Sequence, residues 1–388
     1  MIQAANRTKK TGEYYFSARL NQIRRMISDG KDIINLGIGN PDISPPGEII
    51  EELAYSSSNM SAHGYQPYRG IPELRNAISG WYWKYFNVQA DPERHILPLI
   101  GSKEGIMHIS MAFLNRGDAV LLPDPGYPAY ASAAGLCDAR CVYYDLNPEN
   151  NWLPDLESIK RKDMQGVKLM WVNYPNMPSG KRASKENLLA LVRFAQQNNI
   201  LVVNDNPYSF ILNDKPLSIL SADSTFENVL ELNSLSKSHN MAGWRIGMLI
   251  GHEQHINNVL KVKSNMDSGM FLPVQKAAVK ALNLPSDWYG KLNVIYRLRQ
   301  KMVYELLQNL GCSTEDGQSG MFLWSKIPAS FADSYDFSEY CLNSYHLFMA
   351  PGLVFGSGGQ RYIRASLSVN DLRLKEAINR VKTWNNDR

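Results

Sequence analysis

Six short apolar runs between residues 119 and 251 constrain the fold of this 388-residue chain more than any other feature. Helix-like segments separate the runs, and one of them, 184–199, begins with Ser184 in position to cap its first turn. Strands this apolar, alternating with helices, predict an α/β fold whose large, mostly parallel sheet is covered by helices on both faces. The runs are AVLLP at 119–123, CVYYDL at 141–146, VKLMWVNYP at 167–175, ILVVNDN at 200–206, NVLELNS at 228–234 and RIGMLIG at 245–251.

The character of the chain changes after this region. A long helical pattern at 288–311 ends at Gly311, and shorter strands and turns follow before a last helix from about Asp371. We therefore expect a large domain at 41–285, which would bind a cofactor. A smaller α+β domain would combine the N-terminal arm 1–40 with 286–388.

Charge and cysteine spacing limit the function classes. The formal net charge of +4 comes without a long basic stripe, which argues against nucleic-acid binding. The N-terminus lacks the apolar core of a signal peptide, and no run reaches the roughly 18 apolar residues of a membrane span. The four cysteines form no CxxC pair, so we expect reduced thiols, no metal site and a cytoplasmic protein.

Polar side chains stand where the predicted strands end. Because the carboxyl ends of parallel strands open on one edge of a sheet, these side chains can converge although more than a hundred positions separate them. The residues in question are Tyr127, Asn173, Asp205, Tyr208, Ser234 and Lys237.

These residue types match the needs of pyridoxal 5'-phosphate (PLP), which requires an amine, a carboxylate for its ring nitrogen, a hydroxyl for its phenolate oxygen and a phosphate cradle. Lys237, Asp205 and Tyr208 supply the first three. GSKEG at 101–105, between a predicted strand and a helix, supplies the cradle through free N–H groups. Desolvation and the nearby Arg245 would both lower the pKa of Lys237.

Each residue taken singly also has an ordinary structural interpretation. Asp205 could cap a helix, Tyr127 could pack in a turn, and Lys237 could be solvated. Their order and spacing together favour the cofactor site.

With these motifs the chain resembles the class I/II aminotransferase family of fold-type I PLP enzymes from about residue 35 to 368. It is most similar to the branch that contains aspartate, alanine and diaminopimelate aminotransferases. The family's Ser-x-x-Lys motif, followed by arginine eight residues later, matches Ser234, Lys237 and Arg245. The resemblance implies that Lys237 forms the Schiff base and shuttles the proton, while Ser234 and Arg245 hold the phosphate.

The same resemblance assigns the remaining cofactor contacts. Asp205 would pair with the pyridinium nitrogen and Tyr208 would bind the phenolate oxygen. Ser102 and Lys103 would bind phosphate mainly through backbone N–H groups, and Tyr127 would stack on the ring.

Three further matches reach the substrate and a second subunit. Arg364 in YIRASLS corresponds to the arginine that grips the substrate α-carboxylate, and Gly39 in LGIGNPD lies beside that group. Tyr65 in HGYQPYRG matches the tyrosine that reaches the phosphate of the neighbouring protomer. A homodimer with shared active sites is therefore implied.

One position departs from the family pattern. Met177 in NMPSG stands where the family commonly has an asparagine that contacts the phenolate oxygen and the substrate carboxylate. Asn173 has the same strand parity as Met177 and could face the cofactor, whereas Asn176 would need the loop to shift. We expect Tyr208 and Asn173 to carry the phenolate contact.

Three functions remain as hypotheses at this stage. The leading one is an aminotransferase that moves an amino group between an amino acid and a 2-oxo acid in two half-reactions. A β-elimination or carbon-sulfur lyase on the same fold is the alternative, and a dinucleotide-binding oxidoreductase, suggested by Gly37-x-Gly39, is a remote one. The substrate is left open, and Arg19 is predicted at the surface in preference to facing a distal carboxylate.

Overall fold

The computed structural model describes residues 2–10 and 15–386. Parts of the predicted arm and small domain, at 1, 11–14 and 387–388, lie outside the described residues. The helices are α1 (Asn6–Lys10), α2 (Tyr15–Ser28), α3 (Gly47–Ser57), α4 (Pro72–Phe86), α5 (Ser102–Phe113), α6 (Pro128–Leu136), α7 (Leu156–Lys160), α8 (Lys185–Asn198), α9 (Leu235–Ser238), α10 (Glu253–Lys263), α11 (Leu272–Leu282), α12 (Asp287–Asn309), α13 (Ser334–Tyr345) and α14 (Asp371–Asn386).

The strands form one large and two small sheets. They are β1 (Ile34–Asn35), β2 (Ile96–Leu99), β3 (Ala119–Asp124), β4 (Arg140–Asp145), β5 (Val167–Val172), β6 (Leu201–Asp205), β7 (Val229–Ser234), β8 (Gly247–Gly251), β9 (Ser313–Thr314), β10 (Phe322–Lys326), β11 (Leu347–Phe348), β12 (Ala350–Pro351) and β13 (Tyr362–Ser366).

The large sheet has the strand order β2-β8-β7-β6-β5-β3-β4. Strand β8 runs antiparallel to both of its neighbours, and the other adjacent pairs are parallel. Apolar side chains pack on each face: residues such as Leu122 and Trp171 contact the cluster under α5, α6 and α10, and Met170 and Val202 face the other cluster. The predicted α/β fold with a mostly parallel, doubly covered sheet is confirmed.

The predicted strand limits agree with the structure to within a few residues. The largest overestimate is the run 167–175, because β5 ends at Val172. Its next residues cannot continue the ladder: the Tyr174 N–H bonds to the Asn204 side chain, and Pro175 has no N–H to donate. Helix α8 begins as predicted, since Ser184 accepts from the Asn187 N–H in a capping box.

A smaller sheet with the order β12-β13-β10-β9 follows the large one along the chain. Strand β1 of the N-terminal segment pairs in parallel with β11, so this segment is tied to the C-terminal part. Helix α12 leads into the smaller sheet and packs against α14. Within 2–10 and 15–386, no helix combines the length and the hydropathy that crossing a bilayer requires.

Candidate active site

A cavity of about 560 Å³ opens at the carboxyl ends of the large sheet's parallel strands, beside the smaller sheet and α2. The structure brings together there every site residue predicted from the sequence except Tyr65. Those residues are Gly39, Ser102, Lys103, Tyr127, Asn173, Asp205, Tyr208, Ser234, Lys237, Arg245 and Arg364.

One corner of the cavity is built to hold an anion. Gly101 has φ +84° and sits at the start of α5, where no side chain caps the helix N–H groups. A Cβ at this position would overlap the Arg245 guanidinium, so only glycine lets the cation lie against the helix start. Burial, and secondly the charge of Arg245, lower the pKa of Lys103 in the same corner. Ser234 caps the short α9 by accepting from the Ser236 N–H at 3.1 Å.

Asp205 is the last residue of β6, and its side chain is buried. Its Oδ2 accepts a hydrogen bond of 2.9 Å from the Tyr130 hydroxyl, whereas its Oδ1 has no partner among the described residues. Burial raises the pKa of Asp205 to about 7; the Tyr130 donor opposes this shift, and the buried carboxylate of Glu231 adds to it. A buried carboxylate oxygen without a partner, in a cavity wall, is suited to a ligand that donates an N–H.

Lys237 lies in α9 directly after β7, and its Nζ donates to the Gly39 carbonyl across the cavity. Burial lowers the pKa of Lys237 to about 8, helped by the charges of Arg364 and Arg245. The neutral amine is the nucleophilic form, and its fraction increases as the pH rises through about 8. The site therefore holds a lysine that is reactive near neutral pH.

Arg364 lies on β13 and is enclosed by aromatic rings. Its Nη2 donates to the Gly37 carbonyl at 2.8 Å. Its Cζ lies 3.8 Å from the centroid of the Phe322 ring and 4.5 Å from that of Phe355. A guanidinium fixed in this way presents a planar pair of donors to a carboxylate in a poorly solvated cavity.

Met177 contacts Arg364 directly, with 3.1 Å between its Sδ and Nη1. Asn173 lines the cavity, but its Oδ1 accepts from the Met177 N–H at 2.6 Å and its Nδ2 donates to the Asp205 carbonyl. Asn176 is buried in its own turn, where its Oδ1 accepts from Ser179. The amide of Asn173 thus positions the loop and the end of β6, and its predicted contact with the phenolate oxygen stays a prediction.

Tyr65 lies outside the cavity, with 91% of its surface exposed. It lines a separate depression with His63, Met270 and Phe271. The predicted role of Tyr65 places it at another subunit, so a single chain does not test that prediction.

Sequence reasoning missed two groups of residues that line the cavity. One is Tyr130, three residues after Tyr127 in the first turn of α6, a spacing that points both to one side of a helix. The other is the face of α2 that includes Phe16, Leu20 and Arg24, whose four-residue spacing was a usable signal.

The surface position predicted for Arg19 is wrong. Its side chain is 9% exposed because it pairs with Glu339 on α13 and lies over the Phe348 ring. Among the described residues of α2, Arg24, five residues after Arg19, is the arginine that lines the cavity.

Comparison with known proteins identifies the family. The sequence profile described as "Aminotransferase class I and II" matches residues 31–381. The chain belongs to this family. An LL-diaminopimelate aminotransferase of Aquifex aeolicus is 38% identical over 384 residues, covering 98% of this chain and 99% of that enzyme. Another, of Dehalococcoides mccartyi, is 37% identical over 379 residues, covering 97% of each.

Two solved structures superpose closely on this chain. Substrate-bound BacF from Bacillus subtilis gives a TM-score of 0.95 at 34% identity, over 99% of this chain and 98% of BacF. A probable N-succinyldiaminopimelate aminotransferase of Thermus thermophilus gives 0.88 at 29% identity, over 95% and 99%. The protein is thus a PLP-dependent aminotransferase, which moves an amino group between an amino acid and a 2-oxo acid in two half-reactions.

The other functions considered from sequence are not favoured. The family and its relatives are aminotransferases, which does not support the β-elimination lyase. In Gly37-x-Gly39, added side chains would collide with the rings of Phe348 and Phe322, so close packing accounts for both glycines. The next helix, α3, begins only at Gly47, whereas a dinucleotide motif opens directly into a helix.

The residues of the cavity fit PLP. The unpartnered Oδ1 of Asp205 matches the protonated ring nitrogen, and the uncapped start of α5 with Arg245 matches the phosphate. Lys237 offers an amine whose lowered pKa favours bonding to a carbonyl carbon.

Proposed function

We propose that Lys237, Asp205 and Tyr208 are the catalytic residues of this aminotransferase. The observation that carries the proposal is their convergence in one cavity with an anion corner on one side and Arg364 on the other. Ser102, Lys103, Ser234 and Arg245 would hold the phosphate. The further contacts proposed are Tyr127 and Asn173 for the cofactor and Gly39 and Arg364 for the substrate.

PLP, when bound, withdraws the electron pair left on Cα after its proton departs. The chain's residues orient the reactants for this event. Arg364 would hold the α-carboxylate, while the ionised Asp205 keeps the ring nitrogen protonated and Tyr208 donates to the phenolate oxygen. The neutral ε-amino group of Lys237 would accept the Cα proton of the substrate and deliver it to C4′ of the cofactor.

We propose that the amino donor is a long amino acid with a second carboxylate at its far end, with LL-diaminopimelate as the first candidate. The named relatives support this choice, since the enzymes of Aquifex aeolicus and Dehalococcoides mccartyi are LL-diaminopimelate aminotransferases. The chain itself supports it through α2. The centroid of the Phe16 ring lies 5.5 Å from the Arg364 Cζ. Leu20 and Arg24 follow Phe16 on the same face of α2.

The geometry of α2 sets a length for the ligand. At about 1.5 Å per residue, Arg24 stands roughly 12 Å along the helix from Phe16, and its flexible side chain spans part of that distance. A substrate held by Arg364 would pass apolar side chains before it meets the Arg24 guanidinium. The Arg24 side chain is exposed and lines the cavity, where a distal carboxylate would supply a partner for its guanidinium.

An uncharged donor with a large apolar side chain is the second candidate. Phe16, Leu20, Phe322 and Phe355 make much of the cavity wall apolar. Asp205 is the only carboxylate among the described residues that line it, so the distal ammonium of LL-diaminopimelate would find no acidic partner within one chain.

Replacing Arg24 with alanine tests the choice between these donors. We expect the KM for LL-diaminopimelate to rise about five- to tenfold, because one charge-assisted contact is lost, and the KM for phenylalanine to stay unchanged. Steady-state assays with both donors measure the effect. Arg25→Ala is the matched control, since Arg25 is its exposed neighbour and does not line the cavity. Equal effects of the two substitutions, or a wild-type preference for phenylalanine, would reject the distal-carboxylate assignment.

We propose that the enzyme is a homodimer in which each cavity receives Tyr65 from the other subunit. Exposed Tyr65 and Phe271 line one surface depression, and exposed Tyr55 lines another with Leu272. Surface patches of this composition are typical of subunit interfaces.

A mixing experiment tests the shared site. Lys237→Ala and Tyr65→Ala protomers are each expected to be impaired at limiting PLP. After they are dissociated together and reassembled, half of the dimers are mixed, and each mixed dimer carries one intact site. Activity should therefore recover to roughly a quarter of the wild-type value. Activity equal to the mean of the separate variants, or a monomeric mass by sedimentation, would contradict the proposal.

Two further assignments accompany this function. We propose a cytoplasmic location, supported by the free thiols of all four cysteines, Cys137, Cys141, Cys312 and Cys341. We also propose the division into a large domain at 41–285 and a small domain made of 1–40 and 286–388. The pairing of β1 with β11 supports the placement of the N-terminal arm.

A further inference from the structure

We propose that Tyr130 is a positioning residue that holds Asp205 and Tyr127 in place against the cofactor ring. No role was predicted for Tyr130 from the sequence, and its assignment rests on the proposed contact between Asp205 and the ring nitrogen. The side chain reaches both neighbours at once, although only Asp205 and Tyr127 would touch the cofactor.

Ring packing and a hydrogen bond together fix the side chain of Tyr130. The ring is stacked on Trp171, with centroids 4.8 Å apart and planes 9° from parallel. The Tyr127 ring meets it edge to face, with centroids 5.5 Å apart. The hydroxyl, held by this packing, donates to Asp205 Oδ2 at 2.9 Å. The side chain is 1% exposed, so water does not compete for the carboxylate at this point.

The hydrogen bond from Tyr130 gives the two carboxylate oxygens of Asp205 different roles. Oδ2 of Asp205 is occupied by Tyr130, and Oδ1 keeps no partner among the described residues and lies at the cavity wall. The carboxylate therefore cannot rotate without losing its donor, and the oxygen that remains available is the one suited to a ring N–H. Tyr130 would thereby fix the position of the cofactor ring relative to the Tyr127 ring that is proposed to stack on it.

The same donor favours the ionised form of Asp205. The titratable groups that face this carboxyl are Tyr130 from α6 and Glu231 from β7, with Lys237 and Tyr208 across the cavity. Burial, and to a smaller extent the Glu231 charge, raise the pKa of Asp205, whereas the hydrogen bond from Tyr130 lowers it. Burial also raises the pKa of Tyr130 well above its usual value, so the hydroxyl keeps its proton and stays a donor.

The test measures Asp205 in the apoenzyme, where activity plays no part. In Tyr130→Phe the pKa of Asp205 should rise by about one unit or more, because a charged hydrogen bond is lost. Infrared difference spectra against pH follow the carboxyl C=O stretch, which is assigned to Asp205 by its disappearance in Asp205→Asn. The dissociation constant for PLP should increase about tenfold in the same variant.

Tyr144→Phe is the matched control. Tyr144 is equally buried and its hydroxyl donates to the Trp171 carbonyl at 2.7 Å, away from the carboxylate. This substitution should leave the Asp205 titration and the PLP affinity within about twofold of wild type. Placing 3-fluorotyrosine at position 130 keeps the fold and strengthens the donor, so it should lower the pKa of Asp205.

The outcomes distinguish the positioning role of Tyr130 from the proposed contact between Asp205 and the cofactor. If Tyr130→Phe and the fluorinated residue leave the Asp205 titration unmoved, or if Tyr144→Phe shifts it equally, the role of Tyr130 is rejected. If Asp205→Asn binds PLP as tightly as wild type does, the contact between Asp205 and the cofactor, and thus the proposed function of that residue, is rejected instead.

Discussion

Lys237→Ala is expected to lower the transamination rate by at least about 10⁴-fold, because the substitution removes both the nucleophile that binds the cofactor and the group that moves the Cα proton. The other amine with a lowered pKa among the described cavity residues is Lys103, which lies at the start of α5 in the phosphate corner. The proposal assigns Asp205 to the ring nitrogen and Tyr208 to the phenolate oxygen, so neither is placed to accept the Cα proton. Single-turnover kinetics, with the visible absorbance of the lysine-bonded cofactor, measure the effect.

Lys103 is the informative comparison, since it is the second lysine that lines the cavity and burial lowers its pKa too. Lys103→Ala should bind PLP more weakly but still produce the visible band, because its place at the start of α5 suits phosphate binding. A band that persists in Lys237→Ala and disappears in Lys103→Ala would transfer the nucleophile role to Lys103.

Arg364→Lys is expected to raise the KM for every α-amino acid about 100-fold, the second largest effect we foresee. The substitution replaces a buried, planar pair of donors to the carboxylate with a single ammonium that cannot maintain both contacts. The binding free energy of the substrate should therefore fall by a few kcal/mol. The rings of Phe322 and Phe355 increase the cost, since little water can enter to replace the guanidinium. The visible band of the cofactor should stay unchanged, because Arg364 lies away from the phosphate corner.

Arg299→Lys is the control for the general cost of altering a buried arginine. Arg299 is also 5% exposed, but it pairs with Asp42 and Asp371 and is not among the residues that line the cavity. That substitution should lower the thermal stability and leave the KM for amino acids nearly unaltered. If Arg364→Lys has the same profile, with stability reduced and KM retained, then Arg364 does not bind the substrate carboxylate.

Periodicity and composition predicted most strands of the large sheet. The run 119–123 and strand β3 begin together, and the run 228–234 differs from β7 by one residue, because fully buried strands leave continuous apolar runs in the sequence. The run 167–175 was too long, since the switch of the Tyr174 N–H to the Asn204 side chain depends on a neighbouring strand.

The cavity residues were predicted where a local motif marks the chemistry. Lys237, Asp205 and Arg364 each stand in a short pattern at the end of a strand or within one, so their place in the cavity followed from topology. The contacts of Tyr130 and the aromatic enclosure of Arg364 could not be predicted from local patterns, because stacking on Trp171 or against Phe355 joins residues that are distant in the sequence. Arg19 was predicted at the surface for the same reason: its partner, Glu339, is 320 positions away.

The sequence by itself determined the alternation of strands and helices and the identity of the groups at the strand ends. These features are local: hydrophobic period, caps and short motifs record them within a few residues. Only the tertiary structure decided which oxygen of Asp205 stays available, what Met177 contacts and which arginine of α2 faces the cavity. Each of these depends on packing between distant segments, where burial and a single hydrogen-bond donor change what the same side chain can do.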